Sequence, residues 1–223
     1  MAPAVCPFDL MLLTCQYRAM GASSTRDRLI DTAARLFYAD GITATGVDSV
    51  VALSGVSKPT LYRHFGSKPA LVAEVLQDIH RRRRQALVGY VDAHGAEPLE
   101  RLLAVFDWLG AWHASEGRRG CAFLNAAAEL TGPDDPAREV IVAHKRWTRE
   151  YLAELAASAQ LDDPETLAYQ LLLLLDGANA RVLAEGDLLA AARARTVAEL
   201  LVSHAQRLPG GDSPTSHMGS GRQ

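Results

Sequence analysis

Gly55-Val56-Ser57-Lys58-Pro59-Thr60-Leu61-Tyr62-Arg63-His64-Phe65 reads as a helix stop, a corner and a fresh helix start. Glycine takes the left-handed conformation that ends a helix. Ser57 is then a good N-cap, and Pro59 falls in the first turn, where a missing N–H costs nothing. The ten residues before it, 45 to 54, read as a short helix. Thr45 is its expected N-cap, Asp48 suits the positive N-terminus, and Val47, Val50 and Val51 form one apolar face. Two short helices across a glycine turn make a helix-turn-helix. In the second helix Leu61 and Phe65 lie four apart on the buried side. Lys58, Thr60, Tyr62, Arg63 and His64 point outward, a face of hydroxyls and cations suited to base edges and phosphates in a major groove.

The residues around this unit extend the pattern. Leu29, Ile30, Ala33, Leu36 and Phe37 recur at helical spacing from Ser24, with Asp27 in the first turn and Gly41 as the stop. After the second helix, Gly66-Ser67-Lys68-Pro69 is another stop and restart. Ser67 caps a helix whose apolar set is Leu71, Val72, Val75, Leu76 and Ile79, and Lys68 stands beside free backbone N–H groups as a phosphate clamp. The run 33–45, then Val47-Asp48, Gly55 to Phe65, Ser67-Lys68 and Leu71, resembles the DNA-binding domain of the tetracycline-repressor (TetR) family of one-component transcription regulators. The resemblance covers roughly residues 25 to 72.

Charge agrees with a nucleic-acid partner for that part only. The 223-residue chain has a formal net charge of −3, but residues 21 to 90 hold ten Lys/Arg against six Asp/Glu, and the excess acid lies beyond them. Hydrophobic residues at 48% suffice for a packed core, aromatic residues are 6%, and helix formers dominate. An all-α protein is expected. Cys6, Cys15 and Cys121 have no metal or CxxC spacing, so neither zinc nor structural disulfides are expected, and no cofactor or metal ligand set is visible. No stretch approaches a membrane span and no secretory signal is evident, so a cytoplasmic place is expected.

The domain organisation read from these signals is fourfold. Residues 1–22, with Pro3, Pro7 and Gly21, form a flexible extension, either a tail or an arm that adds DNA contacts; Met20 would open the domain equally well. Residues 23–70 are a three-helix helix-turn-helix DNA-binding domain, residues 71–208 a helical effector-binding and dimerisation domain, and residues 209–223 a disordered tail. The helix starting at Ser67 is expected to run to about Tyr90, with a boundary marked by Gly89, Gly95 and Pro98. Further helices are expected over Leu99 to about Glu116, Cys121 to Leu130, Asp135 to about Ala159, Pro164 to Glu185 and Leu188 to Arg207. The run Arg81-Arg82-Arg83-Arg84 points around more than a full turn, which suits a solvated junction better than a phosphate row.

In the helix from Pro164, leucines at 167 and 171 to 175 leave no continuous polar stripe. With Leu188, Leu189, Ala192, Val197, Leu200 and Leu201 of the next helix, they suggest half of a four-helix bundle across a two-fold axis, an arrangement the family resemblance also implies. Trp108, Trp112, Phe123, Asn125 and Trp147 are either the lining of a small-molecule pocket or plain core; the resemblance implies that a pocket lies among these helices.

The function expected is a sequence-specific transcriptional regulator, a homodimeric repressor released from a palindromic operator by a small-molecule effector. Thr45, Ser57, Lys58, Pro59, Thr60, Tyr62, Arg63, His64 and Lys68 are the expected DNA contacts. Tyr62 and His64 match backbone-binding positions in the resembled family, and Ser57, Pro59 and Thr60 stand nearest the bases. A ligand-independent regulator is the alternative. An all-helical enzyme is the reading from another class, since His144, Glu129, Asp176 and Asn179 could be gathered by folding, although no spacing demands it.

Overall fold

The Ser24 hydroxyl accepts from the Asp27 N–H at 3.1 Å and the Asp27 carboxylate accepts from the Ser24 N–H at 3.3 Å, a reciprocal cap that opens the first helix. The computed structural model describes residues 24–205, so the expected terminal extension and tail lie outside the described residues. That first helix, α1 (Thr25–Asp40), buries Leu29, Ile30, Ala33 and Phe37. It is followed by α2 (Val47–Ser54) and α3 (Lys58–Phe65), joined at Gly55, whose φ of 67° and ψ of 21° are the left-handed stop expected there. Ser57 caps α3 through the Thr60 N–H, and Ser67 caps α4 (Lys68–His94) through the Ala70 N–H.

One local expectation fails. Thr45 is not the cap of α2: that position is Gly46, which has no side chain to offer. Thr45 is instead 4% exposed, and its hydroxyl donates to the Gly41 carbonyl at 2.7 Å, tying the end of α1 to the start of α2.

α4 has 27 residues, roughly 40 Å of helix, and passes through Gly89 to stop only at Gly95. A single glycine inside a long, well-packed helix costs about 1 kcal/mol and does not end it. The remaining helices are α5 (Pro98–Ser115), α6 (Ala122–Glu129), α7 (Ala137–Ser158), α8 (Pro164–Glu185) and α9 (Ala190–Ala205). Among the described residues there is no strand. The fold is all-α, an N-terminal helix-turn-helix unit followed by a larger helical unit.

Two hydrophobic cores divide these elements, and α4 contributes to both. Its first half supplies Leu71, Val72, Val75 and Leu76 to a core with Leu29, Val50, Leu61 and Phe65 of the first three helices. Its second half supplies Leu87, Tyr90 and Val91 to a core with α5, α7, α8 and α9. The first core also takes Phe123 and Ala126 from α6 and Ala137 and Ile141 from α7. The helix-turn-helix is therefore seated on the second unit through buried apolar surface, rather than hung from a linker.

The middle of α4 makes the joint. The arginine run is not uniformly solvated. Arg81 pairs with Asp78, and Arg82 bridges Asp78 at 2.7 Å and Asp31 of α1 at 2.6 Å. Arg83 turns inward and lies 3.7 Å from the ring centroid of Trp112, while Arg84 stands over Trp147 at 5.2 Å. One turn earlier, His80 Nδ1 meets His144 Nδ1 at 3.1 Å, and the His144 ring stacks on Phe123 at 3.6 Å. Such a contact needs a proton on one nitrogen and a lone pair on the other, so the two rings cannot both be charged.

Burial, followed by the fields of Arg83, Lys145 and His80, pushes the His144 imidazole from its ordinary 6.5 down to about 2. The folded state thus holds this ring neutral where the unfolded chain protonates it. Stability is fully present above the unfolded value and is lost as pH falls below it, at about 1.4 kcal/mol per pH unit. Between pH 7.5 and pH 5, His144 alone should remove about 2 kcal/mol, and His80 and His113, both lowered by burial, act in the same direction. Urea unfolding across that range should show this loss, and His144→Phe, which keeps a ring on Phe123, should flatten the slope by about one proton.

Candidate DNA-reading surface and effector cavity

The capping of α3 fixes what its outer face can offer. Ser57, Lys58, Pro59, Tyr62, Arg63 and His64 are exposed and Thr60 is half-buried, while Leu61 and Phe65 hold the helix down from beneath. The Ser57 hydroxyl lies 2.9 Å from that of Thr60 and also caps the Thr60 N–H, so both hydroxyls are held in place at the N-terminus of α3. Tyr62 is 42% exposed, a large ring presented to solvent. Lys58 forms a 2.8 Å ion pair with Asp48 of α2, and hydrogen bonding to that carboxylate pushes its ammonium up. Lys68 reaches the Thr43 carbonyl at 3.4 Å, across the corner between α1 and α2. Eight of the nine expected contacts thus lie on or beside α3. Thr45 does not, because its hydroxyl is spent inside the unit.

A clasp from α6 and the loop before it grips the C-terminal end of α1. The Tyr38 hydroxyl donates to the Gly120 carbonyl at 2.9 Å and accepts from the Arg119 N–H at 3.1 Å, and the Arg119 guanidinium donates to the Ala39 carbonyl. Glu129 accepts from the Thr43 N–H at 2.7 Å. Gly120 has a φ of 63°, and a Cβ there would lie 2.5 Å from the Asn179 carbonyl oxygen of α8, so only glycine fits between the clasp and the second unit. Asn125 belongs here too, its amide donating to the Arg119 carbonyl at 2.9 Å.

The second unit contains a cavity of about 530 Å³ including its open mouth. Leu87, Val105, Trp108, Leu109, Leu172 and Leu175 supply apolar wall, and Trp147 completes it. The polar wall is Arg83, His144, Lys145, Thr148, Asp176 and Asn179. Of the five expected effector residues, Trp108 and Trp147 line this cavity. Trp112 stands behind it, stacked on Trp108 at 6.1 Å and carrying Arg83 on its face. Phe123 is fully buried in the first core, and Asn125 faces a smaller cleft of about 340 Å³ beside Tyr38. Sequence reasoning missed Arg83 and Lys145. Arg83 had a signal, since it stands four residues from both Ile79 and Leu87 on the inward face, but the arginines around it hid that spacing.

Of the residues considered for catalysis, His144, Asp176 and Asn179 share the cavity wall and Glu129 does not. Glu129 is in the clasp. Asp176 pairs with Lys145, His144 with His80, and Asn179 with His113 at 3.2 Å. Among the described residues no group of three His, Cys, Asp or Glu could hold a metal ion, and no helix is long and apolar enough to cross a membrane.

On the far side of the second unit, α8 exposes Tyr169, Leu173 and Leu183, and α9 exposes Val197 and Leu200, the last 68% accessible. Gly177, Ala180 and Ala184 of α8 are also exposed. The leucine-rich helix is thus covered on one side only by its own chain.

A profile of the bacterial regulatory proteins of the tetR family matches residues 29–75, and one of the tetracyclin repressor-like C-terminal domain matches residues 98–198. The chain is similar to an uncharacterized HTH-type transcriptional regulator of Mycobacterium tuberculosis, 30% identical over 164 residues, covering 64% of this chain and 79% of that protein. It is also similar to the HTH-type transcriptional regulator LmrA of Bacillus subtilis, 29% identical over 139 residues, covering 61% of this chain and 73% of the relative. Among solved structures, SCO4454, a TetR-family transcriptional regulator from Streptomyces coelicolor, superposes with a TM-score of 0.74 at 32% identity, covering 81% of this chain and 95% of that one. With a helix-turn-helix in the first profile and the helical unit in the second, the chain belongs to the TetR family of DNA-binding transcriptional regulators.

Proposed function

We propose that this regulator acts as a cytoplasmic homodimeric repressor, released from a near-palindromic operator when a small molecule enters the cavity walled by Trp108 and Trp147. The observation that carries the reading is that one helix, α4, serves both ends: Arg83 and Leu87 line the cavity, while Leu71 to Leu76 sit in the core under the recognition helix. A ligand that displaces the middle of α4 displaces the reading head with it. A hundredfold loss of DNA affinity needs a coupling of about 2.7 kcal/mol, within what burying one or two apolar groups supplies.

On DNA, Lys58, Tyr62, His64 and Lys68 hold phosphates, Ser57, Pro59 and Thr60 stand at base edges, and Arg63 reaches either. The apolar face of α8 and α9 pairs with the same face of a second copy. Tyr169, Leu173, Val197 and Leu200 supply burial, and the small residues of α8 let the helices approach. A two-fold axis there presents two recognition helices to half-sites about one helical turn, roughly 34 Å, or a multiple of it apart.

Three outcomes are expected. Lys68→Ala should weaken operator and unrelated DNA by a similar factor and reduce the slope of log affinity against log salt by about 0.9; altered sequence preference would contradict its role. Leu173→Glu with Leu200→Glu should give monomers in sedimentation and abolish preference for a full palindrome over a half-site. A compound that releases DNA should quench tryptophan fluorescence, and Trp108→Ala or Trp147→Ala should weaken its binding; a wild-type response from both variants would place the effector elsewhere.

A further inference from the structure

Arg83 is the unusual group of this fold. It leaves a run whose other members face solvent, enters the wall of the cavity, and rests on the face of Trp112. Among the described residues no carboxylate comes within ion-pair distance of it, and Glu116 acts on it only from further away. Burial pulls its guanidinium below the usual arginine range. The other charges of the wall are already matched: Asp176 is spent on Lys145, and His144 is neutral against His80. The cavity therefore carries one net positive charge beside a largely apolar wall. A half-buried cation with no counter-charge beside an apolar wall is incompletely satisfied, and an anion that brings its own apolar body suits it.

Resting on the effector reading above, we infer that the effector is an organic monoanion, such as a carboxylate or phenolate, on a flat aromatic body that lies against Trp108 and Trp147 while its charge pairs with Arg83. The same side chain explains how charge becomes movement. Arg83 in the empty protein rests on Trp112 and is near enough to Tyr38 for the guanidinium to hold down the rise that burial gives the Tyr38 hydroxyl, and Tyr38 belongs to α1 and is the hub of the clasp on Gly120 and Arg119. An anion in the cavity competes for the guanidinium, so binding draws Arg83 from the group that ties α1 to the second unit. A neutral compound of the same shape fills the cavity without that exchange.

The test uses naphthalene-2-carboxylate and its neutral isostere naphthalene-2-carboxamide on the full chain, read by tryptophan fluorescence and calorimetry. The carboxylate should bind the parent protein at least tenfold tighter than the amide, in line with a charge-assisted pair. Arg83→Gln, or Arg83→Met, shown folded by circular dichroism and thermal unfolding, should bring the carboxylate-to-amide affinity ratio to about one. Equal binding of the two probes by the parent protein would overturn the charge inference and leave the cavity as effector site; this comparison needs no variant. A preference for the carboxylate that persists in folded Arg83→Gln would overturn the assignment to Arg83. Failure of both probes to bind the parent would overturn the inference together with the cavity reading beneath it.

Discussion

The structure depends on cationic and imidazole side chains in the middle of α4 finding aromatic and imidazole partners on the opposite unit. Arg83 on Trp112, Arg84 over Trp147 and His80 against His144 all leave one helix within two turns and end on α5 and α7. Of these contacts the one to buried His144 is the most demanding, because an imidazole nitrogen left unpartnered there would go unsolvated. They therefore fix the rotation and height of α4 more tightly than leucine packing would, since apolar contacts tolerate sliding while a ring face or a lone pair does not. The recognition helix inherits that placement, because α3 and α4 are joined by only Gly66 and Ser67 and share one core.

A second attachment makes the placement two-point. α6 contributes Phe123 to the first core and, with the loop before it, holds Tyr38, Ala39 and Thr43 through hydrogen bonds. With α4 alone the reading head could swing about one axis. With α4 and the clasp it moves only if both shift together, which is the condition for a two-state response rather than a graded one. Arg83 and Tyr38 lie where these attachments meet, so the middle of α4 is the most economical place for a ligand to act.

How much of this was legible in the sequence follows from the range of each signal. Gly55, Ser57 and Ser67 are local devices whose effect spans four residues, and each does in the structure what its chemistry dictates. The helix Pro164–Glu185 has the bounds its proline and glycine mark. Thr45 failed because two residues compete at that corner: a threonine can cap forward or bond backward, and here the Gly41 carbonyl, left free by the end of α1, takes the hydroxyl. Phe123 took the core alternative and Asn125 a separate cleft for a different reason. The face a short helix buries is visible in its pattern, but the partner it buries against is not, and α6 turns to the helix-turn-helix rather than to the cavity. Arg83 was hidden by its neighbours, since four identical residues carry no periodicity.

The central claim is that α4 transmits the state of the cavity to the spacing of the reading heads. Leu53, exposed on α2 and outside the proposed DNA contacts, offers a position for a spin label with Cys6 and Cys15 replaced by serine. The distance between the two labels of a dimer, measured by pulsed electron paramagnetic resonance with and without a compound that releases DNA, is the most direct test. A ligand-dependent shift of several ångströms, away from the spacing found on operator DNA, is the predicted result. An unchanged distance distribution in protein that the same compound has released from DNA would contradict it.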